Sequence, residues 1–545
     1  MYQESEKSNV RDSEKPTYGS NGNNDNDVIE PEEVDILEKI IGGFGIWQFK
    51  ITLLLSLLKI PSAWTQLSIV FIAPHVEFWC KPPNEFANLP VHKWKSIIAI
   101  ADDQFNNNTY KSSCYMKNVV NNNTNTTILP CIWGYEYNKT YVSSSIITEW
   151  DLVCEKQIMV EITQTTTMLG ILLGMLMFGA AADTFGRRNV LLVAIMLHIL
   201  CGLLSTISPW YSIFLFFKFL SAWASSGLIS ISFVMCLEVV AGSWRTSVSI
   251  LTLIPWGLGY SILAIIAYFV RDWRYLQLAQ FISCFFFFSY YWLIPESPRW
   301  LLTVNRKKEA IEILKQAAIE NKKDVDGINK MVKEYKEDIK ADSVSIIHIF
   351  RYSILRKRAL ILSLKWFTNG IVYFGLYQLS GTITENIYLS VIFVGLISVP
   401  GNFCAVVIVK KYGRKISLAV ANIVTAICLF CVISISKSSP YYMWLENLFL
   451  GLAIFGLTIS YPTLHLLSGE CYPTVLRNST VSMNMMCSKL GGMLSPFIVS
   501  WAHTNWQVPY IVFGITSVIE IFPLFFLPET LKMKLPDSIE DVENS

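Results

Sequence analysis

The sequence predicts an all-α membrane protein: about twelve transmembrane helices in two pseudo-symmetric six-helix halves, with a large extracellular loop after the first helix. Three observations predict it. Apolar runs about 20 residues long, enough to cross roughly 30 Å of hydrocarbon as a helix, recur along the chain. Basic residues gather at alternate run ends. Short motifs return at offsets near 230 residues, as from Gly186 to Gly413 and from Glu238 to Glu470.

Composition supports the first observation. Of 545 residues, 52% are hydrophobic and 16% charged, with a mean hydropathy of +0.40. Soluble chains carry about 25% charge. The formal net charge of +2 gives no bulk attraction to nucleic acid. Residues 1–45 are polar, contain NGNNDND and lack an apolar core, so they read as a cytoplasmic tail and not as a cleaved signal. The last part of that tail, running into EEVDILEKIIGGFGIWQFK, has the pattern of a short amphipathic helix at the membrane face.

The expected spans are 47–73, 158–181, 189–207, 210–233, 247–269 and 274–294, then 360–381, 386–408, 416–434, 442–466, 480–501 and 508–527. They divide the chain into a first half (46–294), a cytoplasmic helical linker (295–356) dense in Lys and Glu, a second half (357–530) and a short cytoplasmic tail (531–545). The first half includes the long polar loop 74–157. Cys80, Cys114, Cys131 and Cys154 lie in or beside the sequons at Asn107, Asn122, Asn125 and Asn138 in that loop. Cysteines and sequons together indicate an oxidising, glycosylating compartment. Four cysteines allow three pairings, and the sequence leaves all three open. The other eight of the twelve cysteines fall in apolar runs, where a thiol behaves as a small hydrophobe.

Orientation follows from the basic residues. Arg187, Arg188, Arg245, the 295–356 segment, KKYGRK at 410–415 and Arg477 share one side, which the positive-inside rule makes cytoplasmic. Arg271 and Arg274 fall on the other side, as exceptions. The sequon at Asn478 lies on the cytoplasmic side and is expected to go unused.

The repeat is specific. AADTFGRRN after span two returns as VKKYGRKIS after span eight. A Glu and an Arg seven residues apart follow span four (Glu238, Arg245) and span ten (Glu470, Arg477), and PESPRW after span six returns as PET after span twelve. Duplicated halves are a design of membrane carriers, with the solute site between them near the midplane. Glycines in GAAADTFGRRN allow a tight turn between helices two and three. Asp183, Gly186, Arg187, Arg188, Glu238, Arg245, Glu296 and Arg299, with Gly413, Arg414, Glu470 and Arg477, have the makings of a charge network that can hold one state and break in another. Lys410 stands where the second copy would carry an Asp, which predicts a weaker latch there.

These motifs resemble the major facilitator superfamily and, within it, the organic cation/anion/zwitterion transporters of solute carrier family 22. The resemblance rests on GAAADTFGRR, TEWDLVC at 148–154, PESPRWLL at 295–302, WFTNGIVYFGL at 366–376 and GECYPTVLRN at 469–478, over about residues 32–530. PESPRWL is shared with sugar transporters, whereas the cysteine-bearing loop with EWDLVC separates the two. The resemblance implies a plasma-membrane transporter of small organic ions working by alternating access, with no cofactor and both termini cytoplasmic.

Charges inside spans are costly unless paired or solvated. Lys59, Lys218, Lys365 and Lys489 lie in spans, with Glu161 and Glu520 as candidate counter-ions. Lys59 and Lys365 are equally read as snorkelling lysines. Lys489 precedes the glycines and Pro496 of an expected broken helix. By resemblance, cation carriers hold an acid at the position of Lys489 and another before the conserved proline, where this chain has Ser398 ahead of Pro400. A basic cavity favours a carboxylate-bearing solute. Trp366 and Tyr373 match cavity-lining positions of the family and share one helical face, Tyr461 and His465 are further pocket candidates, and aromatic faces attract organic ammonium groups. Ile229 replaces a frequent family Trp.

A carnitine-type zwitterion or organic cation is therefore the leading solute, an organic anion in exchange the alternative, and a sugar or a non-transporting receptor role the less favoured readings. The sequence has no phosphate-cradling P-loop and no catalytic constellation, and its six histidines make no metal-ligand spacing with the cysteines. Nothing in the motifs selects a coupling ion, H+ or Na+, or an oligomeric state.

Overall fold

A computed structural model describes residues 36–98, 109–117, 128–140, 142–242, 244–334, 351–381, 386–435 and 441–531. Helix α1 (Ile36–Ile41) precedes the first apolar run, which coils as α2 (Ile46–Leu57), α3 (Lys59–Leu67) and α4 (Ile69–Ile72). The segment after it holds strands β1 (Phe78–Cys80), β2 (Tyr115–Lys117), β3 (Ile128–Pro130) and β4 (Tyr135–Tyr137), with helices α5 (Val91–Ile98), α6 (Thr109–Ser112) and α7 (Ile146–Trp150). Then come α8 (Ile158–Phe185), α9 (Arg187–Thr206), α10 (Tyr211–Val239), α11 (Trp244–Leu251), α12 (Ile254–Phe269), α13 (Trp273–Ser283) and α14 (Tyr290–Leu293). Short helices α15 (Pro298–Thr303), α16 (Lys307–Glu320) and α17 (Ile328–Glu334) lead to the second set: α18 (Ser353–Leu379), α19 (Ile387–Tyr412), α20 (Arg414–Ser434), α21 (Tyr442–Glu470), α22 (Thr474–Ser500) and α23 (Gln507–Ile519).

Among the described residues, ten helical stretches are long and apolar enough to cross a membrane. The other two expected spans are helical as well: the first is divided into α2–α4, and the eleventh, α22, carries Arg477 and Lys489. Several helices outrun their expected ends. Helix α10 continues to Val239 and α21 to Glu470, and α18 begins at Ser353, because polar residues at these ends find partners and hydropathy detects only the apolar stretch. The break expected near Pro496 does not form. Proline at 496 frees the carbonyl of Gly492, four residues earlier, and the Ser495 hydroxyl donates to that oxygen at 2.9 Å, so α22 runs unbroken.

In the first set α10 packs against both α8 and α9, and α13 against α9; in the second α18 packs on α22, and α20 on α21 and α23. The two sets meet along α12 with α19 and α8 with α22. There Gly257 and Gly395 let backbones approach: a Cβ on Gly257 would stand 1.7 Å from the Ser398 hydroxyl, and one on Gly395 would stand 2.6 Å from the Gly257 carbonyl. Large apolar side chains such as Phe269, Trp292, Val407 and Phe525 face outward, as they do where lipid is the solvent.

The segment between α4 and α8 is tied by two disulfides, Cys80–Cys131 and Cys114–Cys154, with Cα–Cα separations of 5.0 and 5.8 Å. Strand β1 pairs antiparallel with β4, and β2 with β3. The TEWDLVC stretch docks this unit on the helices. Glu149 accepts from Arg274 at 2.5 Å and from the Trp273 indole at 2.8 Å, while Trp150 packs 5.3 Å from Phe214 and 5.4 Å from Trp273. Arg274 thereby escapes the charge rule as half of an ion pair. Of the four sequons only Asn138 is described; Asn107, Asn122 and Asn125 lie outside the described residues. The Asn138 amide donates to Glu77 at 3.2 Å and its carbonyl oxygen accepts from the Thr140 N–H at 3.1 Å.

Helix α1 buries Leu37, Ile40 and Ile41, and it packs on α16. Asn321, just past α16, fastens the linker to the first run. Its amide donates to the Ile41 carbonyl (2.9 Å) and to Gln48 (2.7 Å), and its oxygen accepts from the Trp47 N–H (3.0 Å).

Candidate functional site

Two charge clasps stand at the end of the molecule that carries the linker helices. In the first, Gly186 adopts φ +98 between α8 and α9, a conformation natural to glycine. Arg187, the first residue of α9, pairs with Asp183 at 2.6 Å and with Glu238 of α10 at 3.2 Å. Glu296 caps α9, accepting from the Arg188 N–H at 3.1 Å. The second clasp repeats this arrangement. Gly413 has φ +89, Arg414 grips Glu470 of α21 at 2.7 and 2.9 Å, and Glu529 accepts from the N–H groups of Arg414 (2.9 Å) and Lys415 (3.0 Å).

The two capping carboxylates differ. Burial pushes Glu296 above its usual range, against the opposing pull of the Ser297, Arg188 and Arg187 N–H groups. Burial acts the same way on Glu529, but the N–H groups of Arg414, Lys415, Leu531 and Thr530 outweigh it and hold the carboxyl below its usual range. Glu238 and Glu470 thus pair with the arginines that open α9 and α20. Arg245 donates to the Val240 carbonyl at 2.9 Å, and the Arg477 side chain lies outside the described ones. Arg299 is half-buried on α15, next to Trp300, whose indole donates to the Asp183 carbonyl at 2.9 Å.

A second constellation lies between the two sets of helices, at mid-length. Lys489 of α22 is 4% exposed; its ammonium donates to Gln66 of α3 at 3.2 Å and sits 4.4 Å from the centre of the Phe374 ring. An aromatic chain continues from it. Tyr373 stands 4.9 Å from Tyr461, Tyr461 5.3 Å from Trp366, and Trp366 6.1 Å from His465. His465 then meets Phe233 of α10 at 4.6 Å, and Phe233 lies 5.4 Å below the Lys59 ammonium. The Trp366 indole donates to Ser468 at 2.8 Å, which fixes its plane.

The space around these residues is closed at both ends. On the loop side Tyr260 of α12 donates to the Tyr377 carbonyl at 2.9 Å, and Phe71 stacks on Tyr388 at 5.9 Å. On the linker side Lys410 of α19 reaches across to the Ser247 hydroxyl of α11 at 2.7 Å.

Of the residues singled out in the sequence, Lys489, Trp366, Tyr373, Tyr461 and His465 come together. Lys218 and Ser398 are placed elsewhere: Lys218 donates to Ser68 at 3.1 Å, and Ser398 bonds the Gly395 carbonyl at 2.7 Å against Gly257. Lys365 is neither snorkelling nor at a span end. It is 0% exposed and pairs with Glu520 at 3.5 Å, with Asn369 and Asn422 also donating to that carboxylate. Glu520 is thus a counter-ion within the second set. Sequence reasoning missed Gln66, Phe233 and Phe374 and underweighted Lys59. The available signal was spacing: Lys59 and Gln66 lie seven residues apart, two turns on one face.

The pattern of the sugar (and other) transporter family matches residues 101–540. The chain is 31% identical to solute carrier family 22 member 1 of Bos taurus, across 94% of this chain and 92% of that protein. It is a member of solute carrier family 22. The organic cation transporter protein of Drosophila melanogaster is 29% identical over 92% of this chain and 93% of its own length. Solute carrier family 22 member 2 of Rattus norvegicus is 34% identical over 76% and 74%. Among solved structures, the inward-open xylose transporter XylE from E. coli matches with a TM-score of 0.62 at 16% identity, covering 91% of this chain and 99% of that one. That likeness establishes the major facilitator fold; the family membership and the ten long apolar helices among the described residues make the chain a multi-pass membrane protein.

Proposed function

We propose that this protein carries small organic ions across the plasma membrane by alternating access, with a carboxylate-bearing solute, of the carnitine or other zwitterionic type, held at the centre. The observation that carries this reading is Lys489: a buried ammonium between the two sets of helices, facing Gln66 and an aromatic wall. A zwitterion would place its carboxylate on Lys489 and its ammonium over Tyr373 or Trp366, satisfying both features of the site. The 46–294 and 357–530 bundles would rock about this centre, with the linker end facing the cytoplasm and the disulfide-tied segment the outside, where Asn138 would carry a glycan. The relation to the organic cation transporter protein of Drosophila melanogaster favours organic cations as the solute class, and the loop with TEWDLVC sets the chain apart from sugar porters.

A second reading, organic-anion exchange, is favoured by one observation: the ammonium of Lys489 is buried at the centre, where the family resemblance would lead one to expect an acid in a cation carrier. The test is uptake of labelled carnitine, tetraethylammonium and an aromatic anion by cells expressing the full chain. Lys489→Ala should abolish uptake of the carboxylate-bearing solutes at equal surface amount. Unchanged uptake would sink both readings of Lys489, and a wild-type protein that takes only tetraethylammonium would sink the zwitterion.

A further inference from the structure

The carboxyl group of Glu520 is served on one oxygen and bare on the other. Its Oε2 accepts from Asn422 at 3.1 Å and from Asn369 at 3.4 Å, with the Lys365 ammonium 3.5 Å away. Its Oε1 is buried and has no hydrogen-bond partner among the described residues. The ammonium also lies closer to the main-chain carbonyl of Glu520, at 3.0 Å, than to the carboxyl oxygen. Charge-assisted bonds from N–H to carboxylate run at about 2.7–2.9 Å, so the contact is long for a full ion pair.

An ionised carboxylate calls for donors on both oxygens, whereas a protonated one needs an acceptor for its O–H. Asn369 offers that acceptor. Its Oδ1 is also buried without a partner, while its Nδ2 is the donor that reaches Glu520 Oε2. Amide and carboxyl are flat forks of similar span. With one tine of each joined by N–H···O, a hydrogen on Glu520 Oε1 can join the other two, and one proton then satisfies both bare oxygens.

Few groups compete for that proton. Of the helices packed on α23, α18 brings Lys365 and Asn369, and α20 brings Asn422, which accepts from Ser460 of α21 at 2.9 Å. Lys365 is the one charged side chain facing Glu520 among the described residues, and α22 adds no titratable group there. The cluster stands behind the central site: Lys365 precedes Trp366, Asn369 lies one turn before Tyr373, and Ser460 precedes Tyr461.

We propose that Glu520 is a proton-binding site, that Asn369 accepts the hydrogen bond of the bound proton, and that solute transport is coupled to this proton. The carboxylate takes up H+ to become the acid and releases it again within each cycle, so only the O–H bond forms and breaks. When the proton leaves, the ionised carboxylate draws on the Lys365 ammonium. Lys365 and Asn369 share a helix with Trp366 and Tyr373, which carries that change of partner to the aromatic wall. The inference goes beyond the reading of Lys489, which leaves the coupling ion open.

The experiment uses the full chain in proteoliposomes with the membrane potential clamped, and whichever of labelled carnitine, tetraethylammonium and an aromatic anion it carries. A pH gradient of one unit, in one of its two directions, should accumulate the solute up to about tenfold, the limit for one coupled proton. A trapped pH dye should report proton movement that begins when solute is added. Glu520→Gln, whose amide N–H can meet Asn369 Oδ1 without a proton, should lose the accumulation and keep exchange of labelled for unlabelled solute. Asn369→Ala removes the acceptor of the O–H and should move the pH profile of uptake toward acid. If Glu520→Gln fails to fold, Asn369→Ala and the wild-type dye signal decide. The proposal is overturned if neither gradient accumulates solute in the wild type, if Glu520→Gln still accumulates it, or if Asn369→Ala leaves the pH profile in place. If Lys489→Ala abolishes carboxylate uptake while Glu520→Gln stays coupled, this inference fails and the reading of Lys489 stands. If Lys489→Ala changes nothing while Glu520→Gln uncouples, the reading of Lys489 fails and this one stands.

Discussion

The two charge clasps are built alike and close differently. In each, a glycine at positive φ turns one helix into the next, an arginine opens the second helix and grips a glutamate at the end of a third, and a glutamate beyond the sixth caps the turn. The first clasp closes on itself, because Arg187 divides between Glu238 and Asp183. The second gives Arg414 wholly to Glu470 and has Lys410 in place of the Asp. That lysine is free of the clasp and binds Ser247 across the seam. One substitution in a repeated motif thus converts an internal contact into a contact between bundles. The weaker latch expected from Lys410 is a latch of another kind.

Breaking the grip should give the largest effect. Arg414→Ala leaves Glu470, 17% exposed, without its partner, and should lower stability in detergent by about 2–4 kcal/mol. Arg187→Ala should cost at least as much, because Glu238, 14% exposed, loses its arginine while Glu470 keeps the Thr530 hydroxyl. Thermal unfolding of the two purified variants checks the order.

The capping carboxylates separate with pH. Glu529 sits below its unfolded value, so its contribution is present above about pH 4.3 and is lost as pH falls through the lower folded value. Glu296 sits above it, so its contribution is full below about pH 4.3 and is lost as pH rises through the higher folded value. Glu529→Gln should therefore unfold earlier than wild type at neutral pH and converge with it in acid. Glu296→Gln should match or exceed wild type at neutral pH and lose that advantage in acid.

Loosening the seam should change rates more than stability. Lys410→Met and Ser247→Ala should each alter the ratio of inward to outward flux by a few-fold, and the double variant should do no more than either alone. Additive effects would mean that the 2.7 Å contact does not act as a gate. The smallest effect belongs to Asp183→Asn: on an exposed carboxylate it should stay below about 1 kcal/mol in thermal unfolding.

The clasps show how far the sequence could be read. Gly186, Arg187, Glu238 and Glu296 and their counterparts were legible as a repeat, because both copies keep residue type and spacing. Their pairings were not legible. Glu238 is seven residues from Arg245 in sequence yet bonds Arg187, 51 residues away, because the ends of α9 and α10 lie side by side. The same limit applies at the centre. Lys489 and the Trp366–Tyr373 face could be named from the chain, whereas Phe233 and Phe374 are two phenylalanines among 32 until the helices are packed.

Apolar run length, charge asymmetry and the internal repeat predicted on their own a membrane protein with duplicated halves, because each reflects the bilayer or the duplicated chain and needs no contact information; the motifs' resemblance supplied the superfamily. Helix packing decided which disulfides form and which lysine has a carboxylate of its own. Those outcomes depend on side chains from distant helices meeting at one depth, and a linear pattern carries no record of distance between helices.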